Sequence, residues 1–294
     1  MRPFSLLCVL IPAVAWCQAP ANGLLWRISG HGLQHPSYVV GTMHSRDARA
    51  YGQAPRLLQL VQGLDAVAGE LDLTAGPATS RFSMESVMLP EGQRLSDLYP
   101  KKKYDRVQKA LQAGMGPMAL IADRMKPFFL MAFLANSTMQ ADSAMVLDQY
   151  LQVKAKAMGK EVAGLETAEE QLAAVDGLPL QDQADMLYDA VRNKDGKRQM
   201  DRLLDAYAAG DLGRLAKLAA KGGMSDLMGE KLLLERNGVM AHRADSLMQG
   251  GRTFLFAVGA AHLSGSQGVL AQLREQGYGV EAVEPEPGSR TRPR

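Results

Sequence analysis

Two stretches of the chain follow one plan. "YVVGTMHS" ends an apolar run on Gly41-Thr42-Met43-His44, and "FAVGAAHLSG" ends another on Gly259-Ala260-Ala261-His262. Each run is followed by apolar residues at helical spacing, "RLLQLVQGL" and "SQGVLAQLREQG", and then by a further apolar run, "AVAGELDL" and "YGVEAVE". Strand, loop, helix and strand in that order form the unit that builds parallel sheets. The expected fold class is therefore α/β, with a central mixed, largely parallel sheet built from two related strand–Gly-x-x-His–helix–strand units. The spacings differ between the copies, so the kinship is structural and not a repeat of fixed period.

In detail, Leu24–Ser29 and Tyr38–Thr42 read as strands of a hairpin across the Gly30–Ser37 turn. Arg56–Gln62 reads as a helix and Ala66–Leu71 as a strand. Thr253–Val258 reads as a strand, and Gly277 as the stop of the last helix. Between the units, about 84–250, nearly every segment carries apolar residues at i, i+3, i+4 and i+7, the mark of a large helical insertion. Glu161–Gly164 is the one short run there that reads as a strand. The lysines at 101–103 read as a solvated helix start, and most of the 17 methionines as helix core.

Composition narrows the function. Thirty-three basic and 31 acidic residues leave a net charge of +2, with no basic surplus to bind nucleic acid. The opening "MRPFSLLCVLIPAVAWCQAP" has one arginine, an apolar stretch of about 13 residues and small residues beyond it, the layout of a secretory signal. That stretch falls short of the ~20 residues of a membrane span. Cleavage after Ala15 or Ala19 suits the pattern; Trp16 is too bulky to precede a lipidated Cys17. The expected organisation is a signal peptide over 1–19, a single α/β domain over 20–284 and a disordered Pro-, Gly- and charge-rich tail over 285–294. The protein is expected to be exported, periplasmic or secreted, with no membrane span after cleavage. Both cysteines, Cys8 and Cys17, fall in the leader. An internal disulfide and cysteine-ligated zinc are thereby excluded.

The chemistry centres on the two Gly-x-x-His elements. Parallel sheets place their ligands at the carboxyl ends of strands, which is where His44 and His262 fall. The glycines let the backbone turn sharply or approach a ligand closely. Glu70 stands at the end of the apolar run "AVAGEL", where a carboxylate is costly to bury unless paired, protonated or metal-bound. Asp72, two positions on, shares its face in a strand. Two imidazoles and a carboxylate at one sheet edge are the ligands of a hydrolytic metal site with a position open for water, suited to zinc, manganese, cobalt or iron. A buried Glu–His or Glu–Arg pair ordering the core is the structural alternative. Glu166 in "GLET" sits where a helix begins and suits the helix dipole there. Arg236 and Asn237 lie mid-helix in "LLLERNGVMAHR", where Asn and Gly238 are poor helix formers; as site residues they would stabilise an oxyanion. His242 reads as a surface residue. His31 and His35, in the hairpin turn, are poor ligand candidates.

These stretches, with "GLETAEEQL" at 164–172 and "LLLERNGVMAHRADSLM" at 232–248, make the chain resemble the TraB/PrgY/GumN family. That family is related to the Tiki-type proteases and, more distantly, to erythromycin esterase and a haem-binding lipoprotein group. The resemblance runs over nearly all of the chain after the leader. The family's pattern of two Gly-x-x-His elements and a glutamate after the first falls on His44, Glu70 and His262. It implies a metal-dependent hydrolase acting on a peptide or another amide or ester, with Glu70 as ligand or general base. The haem-binding relatives leave a second reading open, an envelope protein that binds haem or metal without turnover. The GumN label suggests a polysaccharide-related accessory protein. A helical scaffold with a decayed site is a third.

Overall fold

In the computed structural model, residues 23–76, 82–138, 141–221 and 226–284 are described. The expected signal peptide and the expected tail lie outside them. Six strands form one sheet: β1 (Leu25–Gly30), β2 (Ser37–Thr42), β3 (Ala66–Gly69), β4 (Glu161–Gly164), β5 (Phe254–Gly259) and β6 (Tyr278–Ala282), in the order β4-β3-β5-β2-β1-β6. β1 and β2 are the expected hairpin, with Leu25 opposite Val40. Its turn uses positive φ at Gly30, His31 and Gly32. β2, β5, β3 and β4 run parallel, and β1 is antiparallel to both of its neighbours.

The helices are α1 (Ala54–Gln62), α2 (Lys101–Met115), α3 (Pro127–Thr138), α4 (Leu147–Ala157), α5 (Ala168–Asp176), α6 (Leu180–Arg192), α7 (Gly196–Ala208), α8 (Leu212–Lys221), α9 (Asp226–Gly229), α10 (Glu235–Gln249) and α11 (Val269–Glu275). A π-helical turn, Glu230–Leu234, joins α9 to α10.

The two strand–helix–strand units do not form adjacent strand pairs. β2 leads through α1 to β3, and β5 lies between them. β5 leads through α11 to β6, and the hairpin lies between those two. The units thus interleave, and the interleaving makes β2 and β5 neighbours, with Gly41 opposite Val258 and Thr42 opposite Gly259. Both Gly-x-x-His elements therefore leave the same edge of the sheet side by side.

Both faces of the sheet are covered, which is why its strands read as continuous apolar runs. Phe254, Phe256 and Val258 pack on one face with Met240, Ala244, Met248, Leu270 and Leu273 of α10 and α11. Leu255 and Ala257 point to the other face, with Leu57 and Val61 of α1 and Leu147 and Leu151 of α4. The strand period of two sorts alternate residues into two cores. A third core belongs to the helical insertion and joins α2, α3 and α6 through Leu111, Leu130 and Leu187. The insertion is not purely helical, because the short run at 161–164 is the edge strand of the main sheet.

Gly69, the last residue of β3, is required by close packing. A Cβ there would stand 2.0 Å from Gln152 Nε2 and 2.9 Å from the carbonyl of Leu71. Gln152 is fully buried and clamps the chain after β3, donating to Leu71 O and accepting from Leu73 N. Gly69→Ala is expected to cost about 1–3 kcal/mol of unfolding free energy by overpacking, read as a lowered urea midpoint. Gly196→Ala, at a helix position with nothing within 4 Å of the added carbon, is expected to leave that midpoint unchanged or slightly raised.

Candidate active site

Four parallel strands end at one edge, and the sequence-derived candidates gather there. Glu70 directly follows β3. It is mostly buried, and both its oxygens are engaged. Oε1 accepts from the Gly259 backbone N–H at 2.7 Å. Oε2 accepts from the Arg236 guanidinium at 2.8 Å and from Gln171 Nε2 at 3.3 Å. A Cβ at Gly259 would come within 3.1 Å of Glu70 Oε1, so this glycine lets the backbone approach the carboxylate. Burial pushes the Glu70 carboxyl up, but His262, His44, Arg236 and the Gly259 N–H outweigh it and hold the group down at about 2.

Glu166 follows β4 by two residues and is buried. It forms a fork with Arg236, whose Nε reaches Oε1 at 2.9 Å and whose terminal nitrogen reaches Oε2 at 2.7 Å. Its place at the start of α5 is not a capping role: Thr167 caps that helix and forms a capping box with Glu170. Arg236, on the first turn of α10 just past the π-turn, thus bridges two carboxylates, and its remaining terminal nitrogen donates to Leu232 O within the turn. Burial works to lower the Arg236 pKa; Glu166 and Glu70 more than reverse it.

His262 ends a short 3-10 turn after β5 and is buried. Asn237 Nδ2 donates to the carbonyl of Gln267 at 2.9 Å, which turns Asn237 Oδ1 towards His262 Nδ1 at 2.7 Å. A carbonyl only accepts, so the amide orientation is fixed and His262 carries its proton on Nδ1. Nε2 is then the bare nitrogen, 3.8 Å from Glu70 Oε1. Burial lowers the His262 pKa and favours the neutral ring.

His44, two residues beyond β2, stands at the mouth with its side chain 61% exposed. Its Nδ1 lies 3.3 Å from Asp148 Oδ2. Asp148 raises the His44 pKa, with a smaller contribution from Glu70 and against Arg236; water screens the pair at this exposure. Thr42 Oγ1 donates to the other oxygen of Asp148, and Tyr207 OH donates to Gly41 O at 3.0 Å. His44, Glu70, Asp148, Leu71, Leu73, Gln152 and Gln171 line a cleft of about 260 Å³.

The structure thus brings His44, Glu70, His262, Glu166, Arg236 and Asn237 to one edge. It does not bring Asp72, whose carboxylate turns back on Thr74 and accepts from its N–H and hydroxyl at 2.8 Å; β3 has ended before it, so the shared strand face does not exist. His31, His35 and His242 are exposed and apart. Asp148, Gln171 and Gln152 were not singled out in the sequence. Helical spacing marks Asp148 and Gln171 only as polar positions on amphipathic helices.

The chemistry of the donor set, though not its present spacing, suits a divalent cation. Each imidazole has Nδ1 turned to an oxygen acceptor, the arrangement that orients histidines for metal through Nε2, and Glu70 and Glu166 together outweigh Arg236 in charge. Among the described residues, no three of His, Cys, Asp and Glu stand close enough to hold an ion as they are.

A model of the TraB/PrgY/gumN family matches residues 24–282. Metalloprotease TIKI2 of Danio rerio is 27% identical over 92% of this chain and 62% of its own length. Metalloprotease TIKI1 of Danio rerio is 28% identical over 90% of this chain and 64% of its own length. The metalloprotease TIKI homolog of Nematostella vectensis is 26% identical over 90% of this chain and 68% of its own length. The chain therefore spans less than two thirds of the two zebrafish relatives. No solved structure matches it.

Arg236→Met is expected to leave two buried carboxylates unpaired and to cost about 3–5 kcal/mol near neutral pH. The Glu70 carboxyl sits below its ordinary 4.5 in the fold. Its stabilising contribution is therefore full above that value and is lost as pH falls towards about 2. The gap between wild type and variant in denaturation midpoint should be widest at neutral pH and should narrow near about pH 3.

Proposed function

The chain belongs to the TraB/PrgY/gumN family, and from that premise we propose that it is an exported, metal-dependent protease whose ion is held by His44, His262 and Glu70. The observation that supports this reading is that three candidate donors follow adjacent strands β2, β5 and β3 at one edge of the sheet, although they are not close enough to hold an ion as they stand. Two of them are imidazoles with Nδ1 turned to an oxygen. The relatives named as metalloproteases support the reaction class and a divalent cofactor. Manganese, cobalt, zinc and iron all suit a histidine–carboxylate set.

A bound divalent ion would supply Lewis acidity to polarise a peptide carbonyl and to make water nucleophilic near neutral pH. The protein's own groups do the positioning. Arg236 and Gln171 occupy Glu70 Oε2 and Arg236 helps keep Glu70 ionised, so Oε1, which accepts only from the Gly259 N–H, keeps a lone pair for a ligand. Asn237 holds the His262 proton on Nδ1 and frees Nε2. Every nitrogen of Arg236, and the amide nitrogen of Asn237, already makes at least one bond within this framework. We therefore assign both residues to positioning in place of the oxyanion role their sequence context suggested, and Glu166 to anchoring Arg236. Leu71 and Leu73 offer a peptide an apolar wall; Gln171 Nε2 already donates to Glu70 and Glu166.

The apolar leader over 1–19 supports export, to the periplasm or the medium. No helix among the described residues is long and apolar enough to cross a membrane.

The purified protein is expected to bind a divalent ion and to cleave peptides in a chelator-sensitive way. His262→Ala and His44→Ala should each lose the ion, measured by elemental analysis, and with it the peptidase activity. Full metal content in both variants would contradict the assignment of ligands.

A further inference from the structure

Asp148 is a buried charge that the reading above uses only as the oxygen facing His44 and to which it assigns no role. It lies in the first turn of α4, on the face of the sheet opposite α10, and is 3% exposed. Oδ1 accepts from Thr42 Oγ1, and Thr42 ends β2 two residues before His44. Oδ2 is buried and has no hydrogen-bond partner among the described residues. A buried carboxylate oxygen without a donor costs a substantial fraction of a protein's net stability. The neighbouring hydroxyls are committed elsewhere: Tyr207 donates to Gly41 O, and Tyr51 to Met145 O. The donor in reach is His44 Nδ1, at 3.3 Å.

The same logic applies on the other side of the sheet, where Asn237 of α10 sets the proton of His262. The two Gly-x-x-His histidines thus each meet an oxygen supplied by a helix, one helix from each face. We propose that Asp148 is the positioning residue of His44: it keeps the ring proton on Nδ1 and so leaves the Nε2 lone pair to the cleft. The assignment rests on the metal-site reading for its purpose, but the proton's place can be measured without any metal.

Side-chain nitrogen NMR of ¹⁵N-histidine protein, at a pH where imidazole is neutral, reads that place directly. His44→Gln identifies the His44 signals among the five histidines. Wild-type His44 is expected to be protonated on Nδ1 and bare on Nε2. Asp148→Asn keeps the size of the side chain and its contact with Thr42, but turns an amide N–H towards Nδ1. It is expected to move the proton to Nε2 and to weaken Co²⁺ binding, followed by visible absorption, roughly ten- to a hundredfold. A wild-type His44 protonated on Nε2 would overturn the assignment without recourse to any variant. So would an Asp148→Asn protein whose His44 tautomer is unchanged. If wild type shows the expected tautomer but takes up no Co²⁺, the metal reading falls and the role of Asp148 in placing the proton stands.

Discussion

Glu70 is a negative charge set into a largely water-excluded corner, and the ends of four strands are arranged around keeping it ionised. The Gly259 N–H reaches it from β5, Arg236 from α10 and Gln171 from α5. Arg236 in turn needs Glu166, beyond β4, to be balanced. Remove the guanidinium and two carboxylates face each other without a cation; remove Gly259's bare backbone and the carboxylate loses its closest donor. Desolvated charges of this kind are stable only when their geometry and remaining hydrogen bonds are complete. The chain supplies both from segments nearly 190 residues apart in sequence.

That dependence explains the strand order. A parallel unit with adjacent strands would put β2 beside β3 and would leave the second Gly-x-x-His turn elsewhere. Interleaving puts β5 between them, so the turn carrying His262 rises directly beside Glu70. Gly41 is part of the same fit. A Cβ on it would meet Leu263 at 2.8 Å and Ala260 at 3.1 Å, so the first glycine makes room for the turn that carries the second histidine.

Much of this was legible in the sequence, for identifiable reasons. The hairpin, β3, β5 and β6 show as apolar runs bounded by glycine and polar turns, and the run at 161–164 shows as a strand because Gly159 isolates it from α4. Glu70 stood out because an acid at the end of an apolar run is improbable on burial grounds alone. The strand order did not show, because pairing between β2 and β5 links residues more than 200 positions apart and nothing local encodes it. Helix α3 did not show either: "PFFLMAFLANST" is apolar on all sides and carries no 3.6-residue period. Asp148 was silent because a carboxylate in the first turn of an amphipathic helix has an ordinary explanation in the helix dipole. Only the fold reveals that it points inward. The resemblance to a known family named His44, Glu70 and His262 together; residue spacing by itself left a buried Glu–Arg pair equally open, and that pair is present as well.

The central claim is that the two Gly-x-x-His histidines and Glu70 serve one ion. X-ray absorption at the metal edge of zinc- or cobalt-loaded protein tests it most directly, because it counts imidazole ligands at the ion itself. The account predicts two imidazoles and oxygen donors at about 2.0–2.2 Å, with that signal lost in His262→Ala, which should no longer hold the ion. A spectrum with no imidazole in the first shell, or one unchanged by that substitution, would contradict it.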